Sequence, residues 1–325
     1  MSIHNLSFNQ VVSHLVCSTD LGFIIYSLNP CIEKKIYQEM DGGVSIAKMM
    51  DKTNLLVLVC SSDNPFKSQA PIILWDDVKK ESTLGIDLKN PIRNVLIDNG
   101  KILVVLDKKL FIMNFDGNTE ATKATYSNPY GICVLNQDKD NKIMITLGVT
   151  KGEIEVWKLN KDSSKKIKAH NNNIERIAVN KEGTLVATCS ETGTLINIFN
   201  TTTGKKLNEL RRGSLSTKIH DLAFNTDSSC LACCSGNGTI HIFDLNNCEN
   251  KNSVSVLSSC KDYLPVYFSS QWSYRQHFIG TNDKMICGFG IDNVLHVVTY
   301  KGVYYSISGK DYVDIKSTNL HINNK

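Results

Sequence analysis

No stretch of this chain pairs a basic start with an apolar run in the manner of a secretory leader; it opens "MSIHNLSFNQVVSHLVCS". Runs such as "NLLVLVC" fall far short of the ~20 apolar residues that cross a bilayer. The expectation is a cytosolic protein whose membrane contacts are peripheral. Long blocks of like charge are also missing, and a net charge of +4 over 325 residues is too mild to mark a nucleic-acid binder. We expect no nucleic-acid partner and a monomer in solution. No Pro- or Gly-rich joint divides the chain, so a single domain spanning 1–325 is expected.

Catalytic signatures are missing as well. The eight histidines are scattered, no strand–turn–helix nucleophile elbow occurs, and no glycine-rich loop opens a helix. No Asp/Glu/His cluster stands at metal spacing, so neither an enzyme nor a cofactor is expected. Cysteine, by contrast, is plentiful at eleven residues. Most lie singly inside apolar runs, such as Cys60 in "LVLVCSS" and Cys189 in "VATCS". The one Cys-x-x-Cys, Cys230 to Cys233, has no second pair at zinc-ribbon spacing, and on a strand its thiols point to opposite faces. Buried reduced thiols fit a cytosolic core.

What the chain does contain is a repeat. "IERIAVNKEGTLVATCSETGT" from Ile174 aligns with "IHDLAFNTDSSCLACCSGNGT" from Ile219, pairing Asn180 with Asn225, Ser190 with Ser235 and Thr194 with Thr239. A fainter copy starts at Lys142. The second apolar runs end in aromatics (Trp75, Trp157, Phe199, Phe243), and no long segment has a helical period. A period of about 40–45 residues built from four short strands is the mark of a propeller blade, and the length then holds about seven. The fold class expected is all-β, a seven-bladed WD40-like β-propeller. A propeller hydrolase would need an acidic or histidine cluster at the central channel, which is not visible.

Between the two clearest repeats lies "LRRGSLS", which puts Arg211 and Arg212 side by side at the end of a strand. Successive side chains of a strand point to opposite faces, so the two cannot grip one anion together but can serve two pockets. One faces the turn with Ser190 and Thr194, the other the turn with Ser235 and Thr239; His170 precedes the first unit and His241 lies in the second. Guanidinium, hydroxyl and imidazole donors suit a phosphate monoester. Solvated rim arginines and strand-capping hydroxyls are the plainer alternative. Imidazoles beside a phosphate would tighten binding below about pH 6.5.

These residues resemble the PROPPIN family, the phosphoinositide-binding β-propellers that include the WIPI proteins of autophagy. The family's Phe/Leu-Arg-Arg-Gly tetrapeptide corresponds to Leu210, Arg211, Arg212 and Gly213. "KAHNNNIERIAVNKEGTLVATCSETGTLINIF" and "GNGTIHIFDL" are similar to its fifth and sixth blades, and "YLPVYFSSQWSYRQ" to the segment between the last two strands of blade six. The resemblance implies binding of phosphatidylinositol 3-phosphate and the 3,5-bisphosphate at two rim sites within about 168–245. The first would use His170, Ser190, Thr194 and Arg211; the second, Arg212, Ser235, Thr239 and His241. Where family members often carry Arg, this chain has Asn197, which implies a first pocket that is weaker or more selective for a single phosphate, beside a complete second one.

A membrane-contact loop over about 246–276 would present Tyr263, Leu264, Val266, Tyr267, Phe268 and Trp272, aromatics suited to the headgroup boundary. For "VYFSSQW" a blade strand is the alternative. Lys165, Lys166, Lys168, Lys205 and Lys206 add attraction to anionic lipid if they face it. The resemblance also implies docking of an autophagic lipid-transfer protein through a near-N-terminal Asn-Gln-acid triplet. This chain has Asn9 and Gln10, then Val11 in place of the acid. The function implied is a cytoplasmic adaptor, peripheral on autophagosomal, endosomal, vacuolar or other phosphoinositide-bearing membranes. The rival is a WD-repeat scaffold that binds proteins and no lipid.

Overall fold

The computed structural model describes residues 1–30, 32–62, 71–161, 163–246 and 270–322. They form strands and turns, with one short 3-10 segment at Lys310–Tyr312, and no helix is long and apolar enough to cross a membrane. The strands make seven sheets, each of four strands taken in chain order, and one sheet gains a fifth strand. The chain divides into two compact units: residues 1–132 with 298–304 and 317–325, and residues 133–297 with 305–316.

In the first unit, sheet one is β1 (Ile3–Phe8), β2 (His14–Thr19), β3 (Gly22–Ser27) and β4 (Glu33–Glu39). Sheet two is β5 (Val44–Met49), β6 (Leu55–Cys60), β7 (Ile72–Asp76) and β8 (Glu81–Ile86). Sheet three is β9 (Asn94–Asp98), β10 (Lys101–Val105), β11 (Lys109–Asn114) and β12 (Thr119–Ala124). Phe23, Leu56, Leu58 and Trp75 pack sheets one and two face to face; Val57, Ile72, Ile102 and Val104 do so for sheets two and three. Middle strands such as β6 and β7 are therefore continuously apolar, because both faces are covered.

In the second unit, sheet four is β13 (Cys133–Leu135), β14 (Ile143–Leu147), β15 (Glu153–Lys158) and β16 (Ser163–Lys168). Sheet five is β17 (Ile174–Val179), β18 (Leu185–Ser190), β19 (Leu195–Asn200) and β20 (Lys206–Arg211). Sheet six begins with β21 (Ile219–Phe224), β22 (Cys230–Ser235) and β23 (Thr239–Asp244). The chain then supplies β24 (Gln271–Trp272) to sheet five and β25 (Arg275–Phe278) to sheet six. A seventh sheet, whose residues are divided between the two units, is β26 (Met285–Phe289), β27 (Leu295–Thr299), β28 (Val303–Ser308) and β29 (Asp314–Asn319). Ala187, Ile196, Leu231 and Phe243 join sheets five and six in one apolar cluster.

The repeat seen in the sequence has a structural cause at the first hairpin of its sheets. Asn180 follows β17, and its Oδ1 accepts the backbone N–H of Leu185 at the start of β18 (2.9 Å). Asn225 does the same for Cys230 (2.8 Å), Asn136 for Ile143 (2.8 Å), and Asn9 for Ser13 and His14 (2.8 and 2.9 Å). All four are 1–3% exposed, so each side chain satisfies backbone that water cannot reach. Asn9 thereby has a structural duty, and its Nδ2 donates to Asp51 O (2.7 Å). Gln10 likewise bridges sheets, donating to Ile97 O (2.8 Å) and accepting from Asp51 N (2.7 Å). The two residues expected to dock a lipid-transfer protein thus hold the first unit together.

Fourth strands are polar and exposed, as β16 (SSKKIK) and β29 (DIKSTN) show; charge on such an edge discourages pairing with other chains. The exception is β20, whose last residues are buried. There β24 pairs in parallel, Leu210 with Gln271 and Arg211 with Trp272. The eight cysteines among the described residues that carry free thiols are all buried, and burial pushes the Cys133 thiol up to about 12.

Candidate functional site

The arginine doublet sits where the β19–β20 ladder ends. Leu195 pairs with Arg211, and the N–H of Arg212 reaches Thr194 O (2.9 Å). Strand geometry sends the two side chains to opposite sides, as expected, but neither is an exposed rim cation: each is 4% exposed. The sequence placed β20 at the edge; β24 lies beyond its end and covers it.

Arg211 directs Nε to Ser270 Oγ (2.8 Å), just ahead of β24. Arg212 donates from Nε to Gly193 O (2.8 Å) and from one terminal nitrogen to Leu215 O. The turn carrying Ser190 and Thr194 is therefore held by Arg212, although the sequence assigned it to Arg211. Gly193 takes φ +61°, and a Cβ there would meet Thr217 O at 1.8 Å, so this turn and the 213–217 loop touch backbone to backbone.

Arg212 also faces sheet six. Burial lowers its pKa, and Cys233 of β22 and His241 of β23 both sense its charge. His241 is 4% exposed; its Nδ1 meets Ser273 Oγ (3.2 Å), while its Nε2 is buried without a partner. Burial first, and Arg212 second, lower the imidazole pKa to about 4. Ser235 is fully buried, its Oγ within hydrogen-bond reach of Thr239 O (2.8 Å) and Asn237 Oδ1 (2.5 Å). Thr239 is buried beside it. Arg212, Ser235, Thr239 and His241 thus gather around the β22–β23 turn.

The first set is arranged differently. His170 is half-buried, with Nε2 3.0 Å from Thr188 Oγ1, and burial lowers it to about 4 as well. Ser190 Oγ lies 2.8 Å from Thr192 Oγ1, and Thr194 contributes its carbonyl to the backbone of Arg212. Asn197 donates from Nδ2 to Ala169 O (3.0 Å), leaving its Oδ1 buried without a partner. The onset near pH 6.5 expected for both histidines is that of a solvated imidazole; burial moves it down.

Sequence reasoning missed Gly193, Thr188, Ser270 and Ser273. Thr188 and Cys233 were within its reach, since they are 45 residues apart like the other repeat pairs. Ser270 and Ser273 depend on a strand supplied from outside the repeat. Of the proposed membrane loop, Tyr263, Leu264, Val266, Tyr267 and Phe268 lie outside the described residues. Trp272 is half-buried in β24, opposite Arg211. Lys165, Lys166, Lys168, Lys205 and Lys206 are all exposed, with Lys206 ion-paired to Glu209 at 2.7 Å.

Comparison with known proteins adds to this geometry. Residues 2–280 match the family model described as PROPPIN. SVP1-like protein 2 of Schizosaccharomyces pombe is 32% identical over 265 residues, 81% of this chain and 72% of that protein. Autophagy-related protein 18e of Arabidopsis thaliana is 28% identical over 94% of this chain and 83% of its own. Among solved structures, Kluyveromyces lactis Hsv2 superposes with a TM-score of 0.78 at 26% identity, covering 98% of both chains. The seven sheets are the blades of a β-propeller.

Proposed function

This chain belongs to the PROPPIN family of autophagy-related, phosphoinositide-binding propellers, and from that premise we propose that it is a non-enzymatic peripheral membrane adaptor for lipids bearing a 3-phosphate. Phosphatidylinositol 3-phosphate and the 3,5-bisphosphate are the ligands, held in pockets that open on either side of Leu210-Arg211-Arg212-Gly213. His170, Ser190, Thr194 and Arg211 serve the first pocket; Arg212, Ser235, Thr239 and His241 serve the second. Partner proteins are recruited once the propeller is on the membrane, and the segment around 246–276 adds contacts at the lipid boundary.

The observation that carries this reading is the state of Arg212. The residue is buried, and among the described residues its hydrogen bonds go to the carbonyls of Gly193 and Leu215 and to no carboxylate. A buried charge is ordinarily paired with an opposite charge. Here the cation has neutral acceptors, two hydroxyls in the adjacent turn and a histidine with an open Nε2. A phosphate monoester supplies the missing anion and accepts charge-assisted bonds worth about 1.5–3 kcal/mol each.

Flotation with liposomes, with and without phosphatidylinositol 3-phosphate, tests the proposal. Wild-type protein should float only with the 3-phosphate lipid, and Arg211→Thr/Arg212→Thr protein with an unchanged circular dichroism spectrum should remain at the bottom. Undiminished flotation of that variant would leave the lipid-free scaffold as the better reading.

A further inference from the structure

The first strands of sheets five, six and seven begin with a charge pattern that the repeat does not share. Asn173 and Glu175 of sheet five stand 45 residues before Lys218 and His220 of sheet six. A polar and an acidic residue thus give way to two basic ones, and Lys284 precedes β26 as Lys218 precedes β21. The three strands are neighbours. Arg176 of β17 donates from Nε to His220 O (2.6 Å), and Asp221 of β21 accepts from Cys287 N of β26 (3.0 Å). The ladder register shifts at Glu175 and again at His220, a bulge that re-aims the side chain it carries. His220 is half-buried, and a Cβ at Gly236 would meet its Nε2 at 3.4 Å.

The charge balance at these strand ends is positive. Burial first, then Arg176, Lys284 and Lys218, lower the His220 pKa, and Asp283 opposes them without cancelling the effect. The neighbouring carboxylates serve donors of the protein itself. Asp221 accepts from Leu222 N (3.0 Å) as well as Cys287 N, and Glu191 accepts from Asn173 Nδ2 (3.0 Å). Glu175 is 3% exposed and accepts from Ile219 N (3.4 Å), and burial raises its pKa toward the neutral form. Lys218 and Lys284 are exposed, so they present their charge to solvent.

We infer that the ends of β17, β21 and β26 form a docking surface for an acidic peptide segment of a partner protein, with Arg176, Lys218 and Lys284 facing its carboxylates. This goes beyond the lipid reading, which concerns the end of the fourth strand β20. Strands of a sheet stand about 4.8 Å apart, so a first strand lies about 14 Å inward from a fourth. A bilayer seated edge-on at β20 stops short of that depth, whereas an extended peptide can follow the strand ends inward. Contacts to solvated lysines steer an acidic partner and weaken with salt.

Fluorescence anisotropy of fluorescein-labelled hexaglutamate with the full chain tests the inference, with hexalysine as the charge control. Wild-type protein should bind hexaglutamate and not hexalysine, and the His220 imidazole signals should shift in NMR as the peptide is added. Lys218→Glu/Lys284→Glu should weaken binding at least tenfold and Lys218→Gln/Lys284→Gln at least fivefold, with the melting temperature unchanged. Lys165→Glu/Lys166→Glu, on the exposed basic strand β16, should bind as wild type. Absent hexaglutamate binding, or an unmoved His220 signal, would overturn the inference. Equal losses from both pairs of substitutions would show attraction to net charge alone and overturn it too. If the Lys218/Lys284 variants also lose flotation with phosphatidylinositol 3-phosphate liposomes, the surface belongs to the membrane and the peptide reading falls. Failure of the wild-type protein to float would sink the lipid reading and leave this one standing.

Discussion

Lowering the pH from 7 to 4.5 should cost this protein a large part of its stability, and buried histidines are the reason. His241 and His296 are 4% and 2% exposed, and burial holds both imidazoles at about 4, where an unfolded chain titrates near 6.5. Asp292 opposes this shift at His296 but does not cancel it. Depressed folded-state values mean that the unfolded state takes up protons first. Stability is therefore intact above about pH 6.5 and lost progressively as the pH falls toward 4. Integrating from pH 7 to 4.5 gives about 2.4 kcal/mol per histidine, or roughly 5 kcal/mol for the pair. His170, lowered to a similar value but only half-buried, adds a smaller amount. Against a total of about 5–15 kcal/mol for a folded protein, that loss is severe.

Urea denaturation followed by circular dichroism at pH 7.0, 6.0, 5.0 and 4.5 measures it. Carboxylates that lose their folded-state advantage do so mainly below this window. The urea midpoint should fall steadily, and His241→Gln and His296→Gln should each flatten the slope. A midpoint unchanged between pH 7 and 4.5, or NMR titration of either imidazole near 6.5, would refute the reasoning. A phosphate bound against His241 raises its pKa, so saturating headgroup should restore the share of stability that His241 loses.

Gly193→Ala places a Cβ against Thr217 O and a side chain at φ +61°, so a melting temperature several degrees lower and weaker flotation are expected together; a variant with wild-type values in both would contradict the turn's role in holding Arg212. Asn180→Ala and Asn225→Ala should each cost about 1–3 kcal/mol in urea unfolding, because each strands the buried N–H that begins the second strand of its sheet. Losses below 0.5 kcal/mol would show that water replaces the amide.

Much of the fold was legible in the sequence because its cause is local. The 45-residue spacing of Asn180 and Asn225 was read as a repeat, and each proves to be the amide that closes one hairpin. The apolar second and third strands followed from the pattern, since sheets stacked on both faces need continuous apolar runs. The opposite projection of Arg211 and Arg212 was also readable, because alternation belongs to any extended chain. Their burial was not readable. It depends on β24, which pairs with β20 from about sixty positions later in the chain.

The same boundary separates the pockets from their chemistry. Residue types and spacing by themselves determined the all-β class, the blade count and the two sets of phosphate-compatible side chains. Only the tertiary structure decided that Arg212 rather than Arg211 holds the Gly193 turn, and that Asn9 and Gln10 are spent on packing. Periodicity is a property of consecutive residues and survives in one dimension. Register, burial and the charge facing a side chain depend on which distant strands meet, and these arise only when the sheets are assembled.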